Sequence, residues 1–137
     1  MLKNCVFIVF ILTFLTFCDK TGVGSLNNGV YAYTAYDSAG TKIVTGFLWL
    51  EIEPSGSISG HWHLYKIAGG ATTGPQIGAG KLRGNREDSN IWINLNPNWV
   101  DNNVTLSGKI KNGIYKGKWI YSGFPGVISW GTFIAVP

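Results

Sequence analysis

Residues 91–118, IWINLNPNWVDNNVTLSGKIKNGIYKGK, decide the fold. They read as strand, loop, strand, tight turn and strand, and they carry one pattern twice. Leu106-Ser107-Gly108-Lys109-Ile110 and Tyr115-Lys116-Gly117-Lys118-Trp119 each place a glycine midway between two apolar residues. Side chains alternate faces along a strand, so the apolar pair and its glycine share one face. Glycine inside a strand weakens it and marks a bend or the close approach of another backbone. Its recurrence on the apolar face points to strands that coil around a closed core. The pattern recurs at Ile58-Ser59-Gly60-His61-Trp62 and at Val44-Thr45-Gly46-Phe47-Leu48.

Working outward, residues 29–36 and 41–53 read as the first two strands. The 54–56 turn (Pro-Ser-Gly) joins the second to a strand over 57–67. A three-residue loop there sets Glu53 against Ser57, and hence Leu48 against Trp62, Trp49 against His61 and Phe47 against His63. A two-residue loop would oppose apolar and polar positions throughout. Further strands follow over 77–85, 90–96, 103–111, 114–122 and 127–136. Asn112-Gly113 favours a type I′ hairpin turn. The expected class is all-β: an eight-stranded antiparallel up-and-down β-barrel after an N-terminal signal segment. Eight strands in meander order enclose side chains or one small ligand.

The chain has 137 residues, enough for one domain, and a formal charge of +4. Residues 19–137 hold 10 Lys and Arg against 7 Asp and Glu, a net +3 too scattered to indicate nucleic acid. Lys109, Lys111, Lys116 and Lys118 cluster on one hairpin and read as a solvated outer face that discourages edge pairing.

Residues 1–18 form the expected signal segment, with Lys3 ahead of an apolar run over 6–17 that is too short for a membrane span. Both cysteines, Cys5 and Cys18, fall within it, leaving residues 19–137 without a disulfide. Leu15-Thr16-Phe17-Cys18 resembles a lipobox, with Phe17 in place of the usual small residue. The resemblance implies lipid attachment at Cys18, the alternative being secretion with cleavage near 21–25. Residues 19–28 then act as a tether and 29–137 as the barrel. The implied location is the cell envelope, lipid-anchored or secreted, with membrane contact only through the anchor.

The glycine pattern and meander order resemble the calycin barrels, nearer the avidin type than the lipocalins. The stretches NLNPNWVDNNVTLSGKI, YKGKWIYSGFPG and GTFIA resemble bacterial lipoproteins without an assigned activity. In the avidin type a ligand sits at the open end among Trp, Ser, Thr and Asn side chains, although no biotin-contact residue carries over one by one. The residues of suitable type here are Trp62, Asn96, Trp99, Asn102, Trp119 and Tyr121. The amides around Trp99 suit a sugar, or else cap turns through their own hydrogen bonds.

A second expectation concerns the outer face. If Leu48, Leu50, Trp62 and Leu64 point inward, then Phe47, Trp49, His61, His63 and Tyr65 form an aromatic stripe outside. Such a stripe marks an interaction site or lies covered by a neighbouring segment. His61, His63 and Glu51 contain metal-ligand types but lack a further His or Cys. Glu51 and Glu53 have nothing to split their pKa values as an acid–base pair. No catalytic residue, metal site or cofactor is therefore expected. The expected partners are a small molecule or sugar, or a protein, and not nucleic acid.

Overall fold

The computed structural model describes residues 26–68 and 73–137. The signal segment, Cys18 and most of the tether lie outside that range. Eight strands follow in order: β1 (Gly29–Asp37), β2 (Lys42–Ile52), β3 (Ser57–Lys66), β4 (Gly78–Glu87), β5 (Asn90–Asn94), β6 (Asn102–Lys111), β7 (Ile114–Gly123) and β8 (Gly126–Val136). Each pairs antiparallel with the next. β8 returns to β1 through Ala32↔Val136 to Asp37↔Gly131, and the barrel is closed. Closure removes every sheet edge.

The sequence pattern explains the pairing. β3 alternates exposed and buried residues along nearly its whole length, with Ile58, Trp62 and Leu64 inside. The β2–β3 register is Leu48↔Trp62, Trp49↔His61 and Phe47↔His63, and the Glu53 N–H donates to Ser57 O at 2.9 Å. Asn112 and Gly113 take φ of 53° and 77°, as a type I′ turn demands. Strand ends differ from the expected ones where side chains intervene. β4 runs on to Glu87 because Asp88 (φ 55°) and Ser89 suffice for the turn. β5 stops at Asn94, whose Oδ1 accepts a 2.8 Å bond from the Asn96 N–H and curls the chain away.

The glycine pattern has a steric cause. Gly108 and Gly117 are cross-strand partners, and a Cβ on either would strike the backbone of the other strand. A Cβ on Gly60 would likewise meet the Trp49 carbonyl. The strands coil tightly where the missing side chains let backbones approach.

Inside, Tyr33 stacks on Phe133 (centroids 5.8 Å apart), and Tyr115 meets the same ring edge-on at 4.7 Å. The chain enters at one end, where Leu26 is buried and the Asn28 side chain accepts from the Ile52 N–H. This tether end carries the 54–56, 88–89 and 112–113 turns. The opposite, loop end carries residues 38–41, 67–68, 73–77, 95–101 and 124–125.

Candidate interaction surface

Two of the three tryptophans expected to meet a ligand have hydrogen-bond partners within the chain. Trp62 and Trp119 point into the barrel, where their Nε1–H groups donate to Leu95 O (2.6 Å) and Tyr36 O (2.8 Å). Asn96 and Asn102 are half-buried at the loop end. Asn96 Nδ2 donates to Asn102 O, and Asn103 Nδ2 to Trp99 O. These amides fold the 95–101 loop upon itself, the turn-capping use of Asx side chains. Trp99 stands out from that loop, exposed. Tyr121 is half-buried, its ring against Gly74 so closely that a Cβ there would collide with it.

Gly74 belongs to a feature the sequence did not disclose. Residues 73–76 fold over the loop end and insert Gln76, which is fully buried. Tyr33 Oη donates to Gln76 Oε1 at 2.8 Å, and Gln76 Nε2 donates to Thr73 O at 2.9 Å. The amide satisfies both its ends within the chain, as a buried polar group must. Leu48, Leu50, Leu64, Ile93, Leu95, Leu106, Tyr33 and Tyr115 all have zero exposure. They therefore touch neither bulk water nor an internal void able to hold one. The interior around them is filled by side chains. Burial raises the pKa of Tyr33, with the neighbouring Tyr115 adding to the effect, and burial alone raises that of Tyr115.

The outer wall is different. Phe47 and Trp49 on β2 and Tyr65 on β3 are about half exposed, at 52%, 55% and 49%. The register assembles them into rows: Val30–Trp49–His61–Lys81, then Ala32–Phe47–His63–Ala79. Tyr65 and His63 face each other with centroids 4.6 Å apart and a 3.3 Å contact between Tyr65 Oη and His63 Nδ1. All five residues of the expected stripe thus share one face, joined by Val30 from β1, which the sequence reading left out. The stripe crosses β1 to β4, three inter-strand steps or about 14 Å. Lys81 and Arg83 border it on β4, and Glu51 marks its limit toward the tether end. Among the described residues no three His, Cys, Asp or Glu side chains gather as a metal site would need.

Fold and surface together define a closed eight-stranded antiparallel β-barrel, compatible with the calycin barrels, with a packed interior and an aromatic stripe on the outer face of β1–β3. Comparison with protein-family models, with curated proteins and with solved structures found no match to this chain.

Proposed function

We propose that this protein is a protein-interaction module that docks a partner on the aromatic stripe of β1–β3. The observation that carries the reading is that Phe47, Trp49 and Tyr65, each about half exposed, adjoin on paired strands β2 and β3 with His61 and His63 between them. Aromatic residues rich in contact area and poor in rotamer freedom are the usual anchors of such contacts. With Lys81 and Arg83 along one border, the complementary partner offers an apolar face edged by carboxylates. The calycin kinship, nearer the avidin type, belongs to the same proposal and rests on meander order and strand number. So does residence at the cell envelope by a lipid on Cys18, which rests on the residues 15–18.

The small-molecule reading finds less support. Gln76 fills the mouth where such a ligand would enter, and the indole N–H groups that would meet it are already bonded.

The test is site-specific photocrosslinking in the native host. A photoreactive residue at Phe47 is expected to give a discrete adduct that Trp49→Ser abolishes without lowering the melting temperature. The same residue at Lys111, on the far wall, is expected to give none. Equal adducts from both positions, or none from Phe47, would refute the assignment.

A further inference from the structure

The opposite wall carries a second site of different chemistry. From Asn102 to Pro137 the chain has four lysines and no Asp or Glu. Lys109 and Lys116 are direct cross-strand partners, with Lys118 one outward position along β7. Like charges placed opposite each other are unfavourable. Among the described residues none of the three has a carboxylate partner. The expected reason for such lysines, protection of a sheet edge, does not apply. β6 and β7 are each paired on both sides.

The three lysines line a depression of about 700 Å³, which adjoins another of about 370 Å³ at Gly108 and Lys109. Gly108 and Gly117 form part of the floor of the larger depression. The larger depression is bordered by Lys109, Lys116 and Lys118, with Tyr36, Thr132 and Ile134 completing its wall. The smaller one is neutral and polar: Asn85, Asn90 and Ser107 surround the half-exposed Trp92 indole, with Glu87 at the far side. Asn85, Asn90 and Ser107 have no side-chain hydrogen-bond partner among the described residues. Together the depressions run from β4 round to Tyr36 on β1, five inter-strand steps or about 24 Å along the wall.

We infer that this groove binds an acidic polysaccharide, with a neutral sugar over Trp92 and the charged groups of its neighbours on the lysines. Each part of the groove selects one part of that ligand. The Trp92 face packs on the apolar face of a sugar ring, and free amides and a hydroxyl hydrogen-bond its hydroxyls. Uncompensated ammonium groups attract carboxylate, sulfate or phosphate esters. Glu87 argues against a uniformly charged polymer such as nucleic acid, because it would repel an anion at every position along the track. Trp92 is the indole that lines these depressions, and Trp130 on β8 lies outside them under Lys118, so the groove falls short of the stacking series that single-stranded nucleic acid uses.

Isothermal titration of the full chain with dextran sulfate, polygalacturonate, neutral dextran, polyacrylate and single-stranded DNA decides the matter. At least one of the two acidic polysaccharides is expected to bind, with affinity that falls as salt rises, and neutral dextran is not. Lys116→Gln and Lys118→Gln together should weaken that binding at least tenfold with unchanged thermal melting. Trp92→Ala should weaken it about fivefold while leaving any polyacrylate binding as it was. The inference is overturned if neither acidic polysaccharide binds. It is overturned equally if polyacrylate or DNA binds as tightly and Trp92→Ala makes no difference, since the wall would then be a general polyanion surface.

Discussion

Gly117→Ala adds one methyl group at the closest approach of β6 and β7. An ideal Cβ at Gly117 lies 2.5 Å from the Cα of Gly108 and 2.8 Å from the Ser107 carbonyl carbon, and closer again to that carbonyl's oxygen. The obstructing atoms are backbone, so no rotamer change relieves them. Bringing the 2.5 Å approach out to ordinary contact at 3.4 Å requires the strands to part by at least about 0.9 Å, and the closer carbonyl oxygen requires more. A ladder bond near 2.9 Å stretched that far is no longer a hydrogen bond. Losing two flanking ladder bonds costs about 2 kcal/mol. Alanine's smaller conformational entropy loss in a strand offsets about 0.5–1 kcal/mol of this. The net expectation is a loss of about 1–1.5 kcal/mol, rising to about 3 kcal/mol for Gly117→Val through overpacking. Lys116→Val, one residue away on the outer face, removes a charge opposed to Lys109 and should be neutral or slightly stabilising. Urea titration with a slope of about 1.5 kcal/mol/M should move the Gly117→Ala midpoint down by nearly 1 M. If Gly117→Ala proves more stable than the unaltered protein, propensity alone governs the site, and the close-approach account of the glycine pattern is wrong.

The buried tyrosines make stability fall in alkali. Folded Tyr33 and Tyr115 keep their protons while the unfolded chain loses them from about pH 10, so their contribution is complete below pH 10 and is lost as pH rises beyond it. Two such groups give a slope of about −2.7 kcal/mol per pH unit. Tyr33→Phe with Tyr115→Phe should flatten that slope in urea titrations from pH 9 to 11, and an unchanged slope would refute the assignment. For the anchor, metabolic labelling with a radioactive fatty acid should mark the protein, and Cys18→Ser should remove the label. Label that survives the substitution rejects lipidation at Cys18.

Much of the barrel was legible because its signals are local. Alternation along 44–52 and 57–65 settles which residues face inward, and the three-residue 54–56 turn then settles the register. The strand termini were less legible, since they depend on side chains such as Asn94 that bond the backbone two residues on. Trp62 and Trp119 show the limit for sites. Their inward position follows from alternation, but nothing local reveals that a carbonyl on another strand or loop has already taken each indole N–H. Gln76 lies deeper still. In sequence it is one polar residue in a loop rich in glycine and threonine. Its burial depends on a hydroxyl 43 residues away, on Tyr33.

That plug changes where function can reside. A barrel with a free interior can bind through its mouth and keep its outer wall inert, whereas here Gln76 is buried at the loop end and bonded to Tyr33. The outer walls of the barrel are unlike. β2 and β3 carry Phe47, Trp49 and Tyr65, while β6 and β7, half a turn away around eight strands, carry the uncompensated lysines. Both walls run parallel to the barrel axis, and the tether leaves from one end beside Leu26. An anchor attached there would hold the barrel by its base and cover neither wall. Because inward and outward residues alternate, Leu48 and Trp119 stabilise the fold while their neighbours Trp49 and Lys118 stand on the outer surface. Each strand therefore carries two separable tasks, and a change to one need not disturb the other.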